Sequence, residues 1–515
     1  MLDKTILAGC LLWGAILFLL FCLRPKARLH GMTLETEDAR ARGLTFAVFL
    51  TTVLVCTLPM GLSPAYNGEE PSFTNQYELL AESMLDGHLY IDYEDIDPKL
   101  LEMENPYDYE AREAQDVSYH WDHAFYQGHY YMYFGVVPVF LVFLPYRILT
   151  GMSLTTYHAT QIFAVLYLCG VFSLFRFMAK RFFPQISIGM YLMLSAAFSF
   201  VSMWYSVSAP ALYCTAISGG ICMEIWSLFF FVKAVYGCGK EENEWKSIGY
   251  ALAGSLFGAL AFGCRPPIAL ANLLALPLLA AYLQERKIDR KRIGQLALAA
   301  LPYVIVGVLL MVYNYVRFDN PFEFGQSYQL TIVDQSHYGS IWTRLDFAQI
   351  GEKMAAYYLS CKPFGDTFPY VVFNGVFVNF PLLGFSIFGL CLGKVRRAMR
   401  EKRVMPFVLS MFPTALLITF MDILWAPTVL ERYRSDIYWL LGILCYVVIG
   451  FYHGTLQEEG RKKCSFWISL WGFATVIMCF LLFLVPYDYN YTFHYIEKLE
   501  KIRQIIMLRR GVGLL

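Results

Sequence analysis

Charged residues are scarce in this chain. Lys, Arg, Asp and Glu make up 16% of its 515 residues, and 57% of the residues are hydrophobic. A soluble protein carries about a quarter charged residues, so an ordinary soluble domain is excluded. Apolar runs recur along the whole sequence, at the length that a helix needs to cross a bilayer. The sequence therefore predicts an all-α, polytopic bundle of about 11–13 transmembrane helices, embedded in the lipid bilayer.

Several sequence signals are also missing. There is no Gly-rich dinucleotide fingerprint, P-loop or Walker lysine, so the use of a nucleotide sugar is not supported. No nucleic-acid partner is expected. Most of the 13 cysteines lie inside apolar runs, where they act as small apolar residues, and no disulfide framework is readable. No internal repeat is visible, although a transporter would more often show one.

Two long polar segments interrupt the apolar runs. Residues 1–62 are predicted to form two transmembrane helices, because basic residues and no small-residue cleavage site follow the first run. The other predicted regions are an acidic extracytoplasmic loop with short membrane-surface helices at 63–132, transmembrane helices at 133–315, a second extracytoplasmic loop at 316–370, transmembrane helices at 371–485 and a basic amphipathic tail at 486–515.

The orientation follows from basic clusters, which mark the cytoplasmic ends of membrane helices. If every basic cluster is placed in the cytoplasm, both long loops lie outside. Six apolar segments then lie between the acidic loop and the basic cluster at 285–292, whereas the number of membrane crossings between an outer loop and an inner cluster must be odd. One segment, either 133–150 or 268–283, is therefore expected not to cross. The four clusters are 24–42, 285–292, 394–403 and 461–463.

The acidic loop carries the densest set of chemically active side chains. Between residues 63 and 134 there are 16 Asp or Glu against two basic residues, a net charge of −14 in a neutral chain. Near its end Asp122 lies between His120 and His123 in sequence. Such a carboxylate can be a general base, a ligand of a divalent metal ion, or only a solvated loop residue. These alternatives stay open, and no metal ligands are assigned.

The start of the same loop predicts a short helix lying on the membrane. Leu79, Leu80 and Leu85 form an apolar stripe, and Gly87 is a suitable C-terminal cap. Glu78 is either part of the solvated face of this helix or a functional carboxylate. Asp116 is a further acidic candidate nearer to the end of the loop.

A set of basic residues is predicted at the outer membrane surface. An arginine at the end of an apolar helix is costly unless it is paired, either with an acidic neighbour or with a lipid headgroup. The alternative is recognition of a phosphate group, whose geometry a guanidinium matches with two hydrogen bonds. The members of this set are Arg265, Arg317, Lys362, Arg432 and Arg434.

Five segments in the first 440 residues or so carry a family pattern. They are Tyr77 to Tyr90, Asp122 to Pro138, Gly263-Cys-Arg-Pro-Pro267, Arg317 to Gly325 and Glu431-Arg-Tyr-Arg-Ser-Asp436. In their residue types and in their order along the chain, these segments resemble those of the membrane glycosyltransferases of the GT-C class, in particular bacterial members related to protein O-mannosyltransferases and aminoarabinose transferases.

The resemblance implies an acidic catalytic residue in the first outer loop and a polyprenyl-phosphate sugar donor. The expected reaction is transfer of a hexosyl or pentosyl group to a glycan, lipid or protein acceptor at the outer face of a bacterial plasma membrane. Many relatives begin the first motif with Asp-Glu, whereas this chain has Phe73-Thr-Asn-Gln76. Asp122 is the first candidate for the catalytic base, because it lies within the best-matched segment and next to the membrane, and Glu78 and Asp116 follow it.

The expected substrate contacts are His120, His123, Arg265, Arg317, Lys362, Arg432 and Arg434. A divalent metal ion is left open as a cofactor. Two other classes remain as alternatives: a transporter or flippase for a lipid-linked saccharide, and a non-catalytic component of an envelope polysaccharide synthesis complex.

Overall fold

A computed structural model describes most of the chain. The described residues are 4–24, 27–62, 72–210, 212–238, 244–284, 288–336, 346–366, 369–425 and 429–485. The predicted basic tail at 486–515 lies outside them.

The helices follow one another along the chain with one small hairpin between them. The first third contains α1 (Lys4–Leu23), α2 (Ala39–Thr57), α3 (Gln76–Leu85), α4 (Pro98–Glu102), α5 (Tyr109–Ala114), the strands β1 (Ala124–Tyr126) and β2 (His129–Tyr131), and α6 (Leu144–Thr150). The middle contains α7 (Thr156–Phe182), α8 (Ile188–Ser208), α9 (Leu212–Tyr236), α10 (Glu244–Phe262), α11 (Ala275–Leu283) and α12 (Arg290–Phe318). The last part contains α13 (Phe347–Leu359), α14 (Val376–Asn379), α15 (Pro381–Cys391), α16 (Gly393–Glu401), α17 (Met405–Trp425), α18 (Glu431–Gly454) and α19 (Glu458–Phe483).

Nine helices in the described residues are long and apolar enough to cross a membrane. They are α1, α2, α7, α8, α9, α12, α17, α18 and α19. Three shorter apolar helical segments, Val139–Thr150, Ile268–Leu283 and Pro381–Cys391, accompany them. The predicted all-helical, polytopic fold is confirmed, and α3, α4 and α5 are the short helices of the first loop.

The helices differ greatly in how much of their surface is covered. The most apolar stretch of α8 is fully buried and that of α18 is 89% buried, so these two helices form the centre of the bundle. In α12 only 6% of the corresponding stretch is buried. A helix that is apolar on all sides and is not covered by protein is stable only when lipid surrounds it. We therefore place α12 at the lipid-facing side of the bundle.

The two predicted extracytoplasmic loops pack against each other at one end of the bundle, which we call the loop end. The side-chain amide of Asn105 donates a hydrogen bond to the Asp334 carboxylate over 2.8 Å. The guanidinium of Arg112, which is fully buried, donates to the carbonyl of Thr331 over 2.6 Å. These contacts join the 63–132 and 316–370 regions and place them on the same side of the helices.

The opposite end of the bundle, which we call the basic end, carries α16 and the chain that follows it. Its exposed cations include Lys394, Arg396 and Arg397. A β-bridge between Thr33 and Ser187 also lies there, because it joins the stretch before α2 to the start of α8. Described residues of two clusters predicted to be cytoplasmic, 24–42 and 394–403, thus lie at this end, away from the two long loops.

The segment Val139–Thr150 returns to the end of the bundle from which it starts. It consists of a π-helical turn at Val139–Phe143 followed by α6. Arg147 pairs with Glu82 of α3 over 3.3 Å, and the backbone amide of Thr156, at the start of α7, donates to Glu78 of α3 over 3.0 Å. Both ends of this connection therefore lie at the loop end, and 133–150 is the segment that does not cross.

Candidate functional site

The backbone of Asp122 is held by contacts with two other parts of the chain. Its amide donates to the carbonyl of Leu330 over 3.0 Å, and its own carbonyl accepts from the side-chain amide of Gln76 over 2.9 Å. The residue has a φ of 61°, in the left-handed region that few non-glycine residues adopt. Strained backbone of this kind persists where the surrounding structure holds it, and it is frequent at functional sites. The loop end thus holds this carboxylate in one place.

The side chain of Asp122 is buried and engaged at both oxygens. It is 3% exposed. The hydroxyl of Tyr213 donates to Oδ2, and the side-chain amide of Gln329 donates to Oδ1. Burial raises the pKa of the Asp122 carboxyl above its ordinary value, while the Tyr213 hydrogen bond and the charge of Arg432 act in the opposite direction. A carboxylate in this environment is a stronger base than a solvated one.

His123 is buried directly behind Asp122 and is neutral. Its Nδ1 lies 2.8 Å from the carbonyl of Trp121, which can only accept, so Nδ1 carries the proton. Nε2 then accepts from the hydroxyl of Tyr93 over 2.9 Å. Burial lowers the pKa of His123 to about 3. Both ring nitrogens are used within the loop, which suits a supporting role for this side chain.

His120 packs against a face of the Tyr93 ring. The two rings are stacked with their centroids 3.5 Å apart. Burial also lowers the pKa of His120. Neither His120 nor His123 belongs to the wall of the cavity described next.

A cavity of about 240 Å³ lies beside Asp122, between the helix ends at the loop end. Its wall combines charged, phenolic and apolar side chains. Asp122 is not part of this wall, whereas Tyr213, whose hydroxyl donates to the Asp122 carboxylate, is part of it. The polar part of the wall includes Tyr133, Tyr213, Arg265, Arg317, Asp422 and Arg432, and the apolar part includes Phe134, Phe262, Leu310 and Trp425.

Three of the five cations singled out in the sequence reach this cavity. Arg432 lies over the face of the Tyr213 ring, with 4.0 Å between the guanidinium carbon and the ring centroid. Arg265 forms an ion pair with Asp436: its Nε lies 2.9 and 2.7 Å from the two carboxylate oxygens, and its Nη2 lies 2.7 Å from Oδ2. Arg317 donates to the carbonyl of Met132 over 2.7 Å, so it also anchors the chain that follows β2. Of the three, Arg432 is nearest to the Asp122–Tyr213 pair.

The other two cations lie outside the cavity wall. Arg434 forms a buried ion pair with Glu431 and donates to the carbonyl of Ala356 over 3.3 Å. Lys362 is exposed, and its backbone amide donates to Asn374 over 2.7 Å. Both positions are closer to α13 and the second loop than to Asp122.

The two other acidic candidates are also placed away from the cavity. Glu78 accepts from the amide of Thr156, as an anion commonly does at a helix N-terminus. Asp116 is exposed and has a φ of 53°, and its carbonyl accepts from Lys99 over 3.2 Å. The structure thus brings only Asp122 of the three carboxylates next to the cationic wall.

Several residues of this site were missed by the sequence argument. Tyr213 and Gln329 hold the carboxylate but lie 91 and 207 positions away from it. Asp422 is 1% exposed in the cavity wall, next to the ion pair of Arg265 and Asp436. Gln76, which donates to the carbonyl of Asp122, belongs to the stretch Phe73-Thr-Asn-Gln76 that was noted above as a departure from the family pattern.

The groups around Asp122 do not fit a divalent metal ion. Such an ion prefers several oxygen ligands from carboxylates, carbonyls and water. The neighbours of Asp122 are instead a phenol and an amide that donate to it, with an arginine close by. Among the described residues, no group of three or more His, Cys, Asp or Glu side chains is arranged to hold a metal.

Comparisons with known proteins give a distant likeness. No family description and no curated protein matches the sequence. Among solved structures, the oligosaccharyltransferase of Archaeoglobus fulgidus in its apo form is similar with a TM-score of 0.44 at 13% identity. The same archaeal protein, AglB, in complex with an inhibitory peptide and a dolichol-phosphate gives 0.42 at 12%. Each comparison covers 86% of this chain and 56% of the other, so the chain spans little more than half the length of these proteins.

Proposed function

We propose that this chain is a membrane glycosyltransferase that moves a hexosyl or pentosyl group from a polyprenyl-phosphate donor to an acceptor hydroxyl. The reaction takes place at the loop end, which faces outward from the plasma membrane of a bacterium. The acceptor belongs to a glycan, a lipid or a protein. This function agrees with the resemblance of the five sequence segments to GT-C enzymes.

One observation carries the proposal: a buried carboxylate lies next to a cavity with arginines in its wall. Asp122 is 3% exposed, and its partner Tyr213 lines the cavity together with Arg432. Glycosyl transfer from a phosphate needs a base for the acceptor proton and a cation for the departing phosphate. Asp122 and Arg432 are the members of this site that can fill those two roles.

The location of the cavity suits a donor with a long lipid tail. Leu310 and Arg317 of α12 line it, although most of α12 is uncovered by protein. One helix therefore separates the cavity from the lipid-facing surface. A polyprenyl chain can remain in the bilayer beside α12 while its phosphate reaches Arg432.

In the proposed reaction the acceptor oxygen attacks the anomeric carbon of the sugar. The acceptor proton passes to Asp122, and the bond between the anomeric carbon and the phosphate oxygen breaks. The electron pair of that bond leaves with the polyprenyl phosphate, whose added negative charge is stabilised by Arg432. Desolvation of Asp122 strengthens it as a base, and the buried site excludes water as a competing acceptor.

The test uses the full chain in lipid nanodiscs with a panel of undecaprenyl-phosphoryl hexoses and pentoses. Candidate peptide, lipid and wall-polymer acceptors are added, and the release of undecaprenyl phosphate is measured together with labelled product. We expect release with at least one donor and acceptor pair, and release that is about 10²–10⁴-fold slower from Asp122→Asn. If labelled donor crosses sealed vesicles without release, the chain is a transporter and the proposal is wrong.

The transporter alternative gains no support from Glu224, an acidic residue within a membrane helix. Glu224 of α9 is fully buried and accepts from the side-chain amide of Asn272 over 2.9 Å. The hydroxyl of Tyr303 completes this group by donating to Asn272 over 2.5 Å. A carboxyl held in this way has a role in packing the helices together.

A further inference from the structure

Asp122 is close to the cavity but does not open onto it. Its Oδ2 accepts from the Tyr213 hydroxyl and its Oδ1 from the Gln329 amide. Tyr213, in contrast, is only partly buried and forms part of the cavity wall. A hydroxyl group in the cavity therefore meets Tyr213 before it meets the carboxylate.

Tyr213 is held with its hydroxyl towards Asp122. The residue lies in the first turn of α9, and its ring packs edge-on against Phe134 with the centroids 5.5 Å apart. The guanidinium of Arg432 covers one face of the same ring at 4.0 Å. A phosphate bound by Arg432 would thus lie beside the Tyr213 hydroxyl, where the acceptor must approach.

We propose that Tyr213 is the catalytic residue that contacts the acceptor hydroxyl and passes its proton on to Asp122. This inference rests on the proposed function. A phenol can accept one hydrogen bond while it donates another, which a relay requires. It is too weak a base to act alone near neutral pH, so the carboxylate is needed as the final proton acceptor.

The relay moves two protons in one concerted step. The acceptor proton goes to the Tyr213 oxygen, while the Tyr213 proton goes to Oδ2 of Asp122. The acceptor oxygen forms its bond to the anomeric carbon, and the bond from that carbon to the phosphate oxygen breaks. At the end Tyr213 is again a neutral phenol, Asp122 is protonated, and the polyprenyl phosphate has gained one negative charge.

The first test compares Tyr213→Phe, Asp122→Asn and the double variant over a range of pH, with a donor that the parent protein uses in the panel above. We expect Tyr213→Phe to lower kcat about 10²- to 10³-fold at every pH. The double variant should be no slower than Asp122→Asn, because residues that act as a unit are not additive. Tyr167→Phe is the matched control, since it removes a buried hydroxyl that donates to Ser202 over 2.8 Å, and its rate should be unchanged.

A merely supporting role for Tyr213 predicts a different pH profile. Removing a donor to Asp122 would then move the acid limb of the profile to higher pH, and the parent rate would return on the plateau. Return of the parent rate in Tyr213→Phe would overturn the relay while leaving the proposed function intact. Absence of transfer by the parent protein with every donor would instead reject the proposed function.

A second measurement does not depend on the stability of the Phe variant. The rate of the parent protein is measured in mixtures of light and heavy water. Two protons moving together give a curved dependence of kcat on the deuterium fraction, whereas one proton gives a straight line. A straight line for the chemical step would contradict the relay.

The binding of undecaprenyl phosphate to each variant is measured as a control, because retained binding indicates that the cavity is still formed.

Discussion

Charged side chains are buried at one end of the helical bundle and exposed at the other. At the loop end, Asp122, Asp422, Glu431, Arg434 and Asp436 are all between 0% and 5% exposed. At the basic end, the cations of α16 are exposed to the surroundings. Burying a charge costs free energy unless it is paired or hydrogen-bonded, whereas an exposed cation costs little.

If the proposed function holds, this difference separates residues that serve the reaction from residues that set the orientation in the membrane. The basic end needs only a local excess of Lys and Arg to fix which side of the membrane it occupies. The loop end keeps several carboxylates and guanidinium groups out of water in fixed geometry, a costly arrangement that is typical of catalytic and binding sites. Changes at the loop end should therefore affect transfer far more than changes at the basic end.

The largest effect is expected for Asp122→Asn. The amide keeps the size of the side chain but cannot accept a proton, and a general base typically contributes about 10²–10⁴-fold to the rate. We expect kcat to fall by that factor while binding of the donor is retained. Initial rates of undecaprenyl phosphate release, with donor affinity measured separately, check both parts.

Glu78→Gln is the control for this variant, because Glu78 belongs to the same loop but binds the amide of Thr156. It should transfer at nearly the parent rate and lose stability, by about 1 kcal/mol for a weakened helix N-terminus. An inactive Glu78→Gln beside a fully active Asp122→Asn would move the catalytic base to Glu78.

The next largest effect is expected for Arg432→Lys. Lysine keeps the charge but loses the planar pair of donors, and a charge-assisted hydrogen bond is worth about 1.5–3 kcal/mol. Donor affinity should fall about 10- to 150-fold. The measurement is the dissociation constant for undecaprenyl phosphate in nanodiscs.

Arg434→Lys provides the contrast, since Arg434 lies two residues away and pairs with Glu431 outside the cavity wall. It is expected to lower the thermal stability of the protein and to leave the dissociation constant nearly unchanged. Equal losses of donor affinity in both variants would contradict the proposal that Arg432 binds the donor through its place in the cavity wall.

The fold was largely predictable because its signal is local. Hydropathy over about 20 residues identifies a membrane helix without knowledge of its neighbours. The parity of the crossings even narrowed the non-crossing segment to two choices, and the structure selects 133–150. Arg147 of this segment contacts Glu82 of α3, and Thr156, just after the segment, contacts Glu78; such contacts are not visible in a hydropathy profile.

The site was less predictable because it is assembled from distant segments. Tyr213 begins an apolar helix and looks like any core aromatic residue in the sequence. Gln329 lies in the second loop and reaches Asp122 only when the two loops pack together. Arg432 and Arg434 belong to one short motif, yet one lines the cavity and the other pairs with Glu431. Sequence spacing alone cannot distinguish such cases.

A moderate effect is expected on the pH dependence of transfer. The base must be ionised, so kcat/KM should fall on the acid side. Because burial raises the pKa of Asp122, this fall should begin at a higher pH than for an ordinary aspartate with a pKa of about 3.9. Arg432→Gln removes a positive charge that lowers this pKa, so its acid limb should lie at still higher pH.

Titration of His123 should not contribute to this pH profile. With a pKa of about 3 it stays neutral over the whole working range. Profiles of the parent protein, Arg432→Gln and His123→Gln, recorded under subsaturating donor, test the assignment. An acid limb that disappears in His123→Gln would assign the titration to the imidazole instead of Asp122.

The smallest effect on transfer is expected from changes that only report orientation. Cys361 is an exposed residue of the second loop, and all 13 cysteines are free thiols. If the loop end faces outward, a membrane-impermeant maleimide should label the parent protein in intact cells, and Cys361→Ser should abolish this labelling. Arg397→Cys, placed on exposed α16 in the Cys361→Ser background, should be labelled only after permeabilisation. Both variants should transfer at the parent rate, because neither position touches the cavity and surface substitutions usually change stability by no more than about 0.5 kcal/mol. Labelling of Arg397→Cys from outside, together with protection of Cys361 in the parent protein, would show that the orientation is the reverse and would place the reaction in the cytoplasm.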